Sequence, residues 1–83
     1  MAKHTARLRA PADFGLAIQQ ARLSRGLSQN ELAAQTSLRQ STISEIESGK
    51  ATIYLRQLLE LARATGVEIS ASWGEDEAGA TRS

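Results

Sequence analysis

Apolar side chains recur at three- and four-residue spacing through most of this chain, then alternate once near its end. Phe14, Ala17, Ile18 and Ala21, with Leu23 following, make a stripe that predicts a helix over roughly residues 11–24. Pro11 suits the first turn, and Asp13 sets a carboxylate where the helix dipole favours one. Arg22, Arg25 and then Gly26 close it. Ser28-Gln29-Asn30-Glu31 is a capping box that opens a second helix, running to about Gln35 or Thr36. After a break of three or four residues, RQSTISEIESGK (Arg39 to Lys50) reads as a third helix, with Ile43 and Ile46 inward and Gly49 as its stop. Leu55, Leu58, Leu59 and Ala62, with Leu61 beside them, predict a fourth helix ending at Gly66. Val67, Ile69, Ala71 and Trp73 then alternate with Glu68, Ser70 and Ser72, which is strand periodicity.

That strand has no evident partner, because nothing else in the chain reads as strand. A lone strand leaves both edges unpaired, so residues 67–73 are expected to pair with the same strand of a second copy, with Trp73 in the interface. The alternative is an irregular tail resting on the fourth helix. Residues 1–10 read as a flexible basic arm, residues 11–66 as the helical domain and residues 74–83 as a flexible acidic tail.

Eighty-three residues make one small all-α domain near the lower limit for an unstapled core. There is no cysteine and one histidine, His4, so neither a disulfide framework nor a zinc centre is expected. No apolar run reaches the roughly 20 residues of a membrane span. Nor does an apolar segment follow the basic N-terminus as in a signal peptide. A cytoplasmic protein is expected. Net charge is +1, but residues 74–83 carry −2 and the other 73 residues +3, a surplus that permits a polyanionic partner. No constellation of nucleophile, base and acid is legible, and the run Glu75-Asp76-Glu77 reads as solvating. The chain is not expected to be an enzyme or to need a cofactor or a metal.

Two short helices joined by so few residues must cross steeply. Leu32, Leu38, Ile43 and Ile46 are spaced to make one shared apolar wedge. With that wedge inward, Gln40, Ser41, Ser44 and Glu45 project outward. Short side chains that donate and accept, at an exposed helix start, suit base edges in a major groove.

Leu27-Ser28-Gln29, Glu31-Leu32-Ala33, Ser41-Thr42-Ile43-Ser44 and Ile46-Glu47-Ser48-Gly49-Lys50, followed by LLELARATGV from Leu58, resemble the helix-turn-helix of the lambda-repressor-like (XRE/Cro) family. The resemblance spans about residues 11–67. It implies a helical DNA-binding domain of four to five short helices, here with a C-terminal strand pairing in a dimer. Pro11 at the helix start and the strand after the domain make the chain most similar to HipB-type antitoxins. That narrower likeness implies a homodimeric repressor of its own operon, bound to a palindromic operator and to a HipA-like serine/threonine kinase toxin. A stand-alone phage-type repressor and a helix-turn-helix scaffold for protein–protein interaction remain open alternatives.

By the same resemblance, the third helix enters the groove and the second crosses the backbone. Gln29 is expected at a phosphate, Gln40 and Ser41 at bases, and Arg39 at either a guanine or a phosphate. Thr42 is expected at a phosphate or packed on the turn, Ser44 in the groove and Lys50 at the backbone. Glu45 is expected to be solvated or paired. Two departures stand out. Ser37 occupies a turn position where the family commonly has glycine, so an altered or slightly strained turn is expected there. Arg39, at the start of the third helix, cannot accept an N–H as a Ser or Thr cap does.

Overall fold

In a computed structural model, which describes residues 3–74, four helices are joined to a two-stranded antiparallel sheet. The order is β1 (Lys3–Arg7), α1 (Pro11–Ser24), α2 (Gln29–Gln35), α3 (Gln40–Glu47), α4 (Ile53–Thr65) and β2 (Ser70–Gly74). The capping box predicted for α2 is formed: Ser28 Oγ accepts from the Glu31 N–H at 3.0 Å, and Glu31 Oε1 accepts from the Ser28 N–H at 2.8 Å. α4 starts two residues earlier than its leucines suggest, because Thr52 Oγ1 accepts from the Leu55 N–H at 3.3 Å and caps it. Gly66, at φ 82°, ends it in the left-handed conformation that glycine adopts without penalty.

The strand near the C-terminus corrects the reading of the N-terminus. β2 pairs within the same chain, with His4 opposite Trp73 and Ala6 opposite Ala71. Residues Lys3–Arg7 are therefore a strand and not a free arm. KHTAR escapes notice because its own apolar pattern is weak. It is held by its partner: the ladder continues in the Leu8 N–H to Ile69 carbonyl bond at 2.8 Å, and the His4 and Trp73 rings stack at 5.6 Å. The strand itself is shorter than the alternation suggests, since Val67 to Ile69 precede it. Asp13 Oδ2 accepts from the N–H groups of Arg9 and Ala10 at 2.8 and 3.0 Å, which fastens the sheet's exit to the start of α1. The acidic run expected at Glu75–Glu77 lies outside the described residues.

Leu8, Ala17, Ile43, Leu59 and Ala62 are the buried apolar residues among those described. The predicted wedge is narrower than its four residues. Ile43 is its anchor and Leu32 is half-buried, while Leu38 and Ile46 are exposed. Leu58 also turns outward, not into the core with Leu55, Leu59 and Ala62. What brings α1 and α3 together is the absence of a side chain at Gly15. A Cβ there would run into the carbonyl oxygens of Ile46 and Glu47.

Candidate nucleic-acid interface

α3 presents its first turn to solvent. Arg39, Gln40 and Ser41 are exposed, Thr42 and Ser44 are half-buried beside them, and Ile43 points into the core. Arg39 stands at the cap position without a side-chain cap bond, so its guanidinium is not used to start the helix. Lys50 is exposed just beyond Gly49, whose φ of 96° turns the chain. Glu45 is exposed, as expected of a solvated carboxylate.

The turn itself is unstrained. No described residue other than glycine has positive φ, so Ser37 does not enter the left-handed region. The chain turns instead at Thr36, in an extended conformation (φ −121°, ψ −176°). Its hydroxyl accepts from the Leu38 N–H at 3.1 Å and donates to the Ala33 carbonyl at 3.4 Å. A threonine side chain thus supplies locally what a glycine supplies by its backbone freedom.

Beneath the exposed turn runs a polar chain that pattern reading missed. Arg22 donates from Nε to Glu47 Oε2 at 2.7 Å and from Nη2 to Glu47 Oε1 at 2.9 Å, and its Nη1 donates to the Leu27 carbonyl at 2.7 Å. These side chains are only 9% and 2% exposed, respectively. Gln29 Nε2 also donates to Glu47 Oε1, at 3.0 Å, and Gln29 Oε1 accepts from Gln40 Nε2 at 2.6 Å. The first residue of α2 is thereby tied to the first residue of α3, and both to the end of α1. The bond from Arg22 holds the Glu47 carboxyl below its ordinary range against the opposing effect of burial, with Gln29 assisting. A carboxylate in the last turn of a helix opposes the dipole, so Glu47 depends on that guanidinium. The legible signal was a charged residue placed among the inward positions of both helices.

The same chain of bonds sets what Gln40 can do. Its amide nitrogen carries two hydrogens, of which Gln29 takes one. Among the described residues one donor and the carbonyl oxygen have no partner, on a side chain tethered by that bond, and they are the pair that adenine N7 and N6 require.

Set beside known proteins, residues 18–71 match a family described as helix-turn-helix. That is more than half of the chain. The protein belongs to the helix-turn-helix family. This helix-turn-helix protein is accordingly a DNA-binding transcription regulator, of a family that is generally non-enzymatic. No curated protein and no solved structure matches it. In this helix-turn-helix protein α2 and α3 are the paired helices, and α1 packs against α3. Among the described residues no helix is long and apolar enough to cross a membrane, and no cluster of His, Asp or Glu is arranged to hold a metal.

Of the residues expected at DNA, Arg39, Gln40, Ser41, Thr42 and Ser44 lie together on α3, and Lys50 follows it. Gln29 is only half-exposed, and both ends of its amide are engaged internally. Of the strand residues, Ile69, Ala71 and Trp73 are half-buried within the chain, whereas Val67 is exposed.

Proposed function

We propose that this protein is a homodimeric, site-specific repressor that reads its operator with the first turns of α3. The observation that carries the reading is the braced, outward-facing Gln40 with Ser41 beside it. Gln40 pairs with adenine, Ser41 and Ser44 take adjoining groove positions, and Arg39 takes a guanine or a phosphate. Thr42, Lys50 and the second amide hydrogen of Gln29 go to the backbone. Gln29 so acts mainly as a positioning residue, holding Gln40 at the angle the groove needs. Repression is steric: two copies on a palindrome, with α3 helices about 34 Å apart, occupy one face of the promoter.

Val67 and Ile69, just before β2, and Ala71 and Trp73 within it belong to the dimer in this reading. β1 and β2 form a two-stranded ribbon, and a ribbon has an open edge on each side. A second copy extends it without breaking the pairs within the chain. Within the repressor class, we assign the protein to the antitoxins of HipA-like kinase toxins. What supports this is the likeness of the sequence around Pro11 and the strand that follows the helical domain.

Selection from a random duplex library, followed by salt titration on the enriched site, tests the proposal. An inverted repeat should emerge. Affinity through about six phosphate contacts should fall roughly a thousandfold between 50 and 200 mM salt. An unenriched library, or binding indifferent to salt, would show that the helix-turn-helix serves as a protein scaffold. The antitoxin assignment is tested separately, by whether a HipA-like kinase encoded beside this gene co-purifies with the protein.

A further inference from the structure

α4 has two apolar faces, and the fold uses one. Leu55, Leu59 and Ala62 face inward, with Leu59 and Ala62 buried. Tyr54, Leu58 and Leu61, spaced by four and three residues, make a second stripe whose members are 79%, 52% and 63% exposed. Val67, just past the Gly66 cap, is also exposed. A stripe about 10 Å long that holds an aromatic ring and two leucines is the kind of patch that marks an interaction surface.

We propose that this second face of α4 is the principal dimer contact and that its occupant is α4 of a second copy. The proposal rests on the dimeric repressor reading above and adds the surface that reading lacks. Charge pattern favours an identical partner. Around a two-fold axis a residue near the axis meets its own counterpart, so a charge there would meet its like. The stripe and its flanks, Gln57, Ala64 and Thr65, are uncharged. Arg56, Glu60 and Arg63 lie round the far side of the helix, where Arg63 and Glu60 pair at 2.6 Å. An acidic or basic partner would find nothing to recognise on this face.

Area points the same way. A stable interface buries about 800 Å² on each partner, and the open edge of a five-residue strand offers little side-chain surface toward that. The α4 stripe adds the large apolar side chains, with one aromatic residue alone contributing about 150–250 Å² when covered. In an antiparallel crossing Leu58 lies next to the axis, and Tyr54 meets the partner's Leu61.

Sedimentation velocity of the full chain without DNA tests this. Wild type should be dimeric at micromolar concentration, and Leu58→Glu and Leu58→Lys should each be monomeric. An equimolar mixture of the two variants should recover the dimer, because glutamate and lysine then meet at the axis. That rescue separates a lost contact from a lost fold. Tyr54→Lys, at the most exposed position, should weaken the dimer at least about tenfold with helical circular dichroism unchanged. A monomeric wild type, a dimeric Leu58→Glu, or a mixture that stays monomeric overturns the proposal. Salt-dependent binding of wild type to the selected operator is read separately. If wild type is a dimer that binds the operator and Leu58→Glu stays dimeric, the surface is wrong and the repressor reading stands; a monomeric wild type overturns the dimeric reading as well.

Discussion

Replacing Glu47 by glutamine keeps the size of the side chain and removes its charge. It leaves the Arg22 guanidinium facing an amide of which one end also carries hydrogens. The Glu47 side chain is 2% exposed and accepts three hydrogen bonds, from Arg22 Nε, Arg22 Nη2 and Gln29 Nε2. Removing one partner of a pair this buried costs about 3 kcal/mol, the lower end of the usual range, because one oxygen still accepts. A chain of 83 residues has a total stability of about 4–12 kcal/mol at ordinary stability per residue. At 4–8 °C per kcal/mol for a domain this small, Glu47→Gln should lower Tm by roughly 12–24 °C. Thermal melting followed by circular dichroism measures it. The double variant Arg22→Met, Glu47→Leu should recover much of the loss, because an apolar pair leaves no charge unmatched. A Tm drop under about 5 °C in Glu47→Gln would refute the assignment of this pair as the clamp between α1 and α3.

Three further outcomes follow from the same geometry. The folded-state pKa of Glu47 lies below its unfolded value, so its stabilisation is complete above about pH 4.3 and fades as pH falls through the lower folded value. The stability gap between wild type and Glu47→Gln, measured by urea unfolding, should therefore narrow in acid. Gly15→Ala drives a methyl into the carbonyl oxygens of Ile46 and Glu47 and should cost about 1–3 kcal/mol by the same unfolding assay. Gln29→Ala frees Gln40, so specific binding should weaken by about 0.5–1.5 kcal/mol, while binding to random duplex changes far less; equal losses on both would contradict the positioning role.

The helices were largely legible because each carries its own punctuation. Pro11, Ser28 with Glu31, Gly49 and Gly66 mark ends through backbone physics that acts within a few residues. β1 was not legible, because KHTAR becomes a strand only opposite SASWG, more than sixty residues away. The exposed start of α3 could be read from the positions of Ile43 and Ile46, although Ile46 proves less covered than its spacing suggests. The clamp beneath it could not. Whether Glu47 is solvated or pinned depends on Arg22 in another helix, and periodicity is silent about pairs of charges. At Ser37 the altered turn is what forms, and not the strained one: it is shaped by the hydroxyl of the neighbouring Thr36, a local bond that replaces a conformational need.

The claim that α3 reads bases is tested most directly by one comparison. Wild type and the Gln40→Ala, Ser41→Ala variant are titrated, at one salt concentration, against the selected operator and a scrambled duplex of equal length. Each lost base contact should remove about 1–3 kcal/mol of preference, so with two contacts gone operator affinity should fall at least about thirtyfold while scrambled binding stays nearly unchanged. A variant that keeps the full preference of wild type would contradict the account.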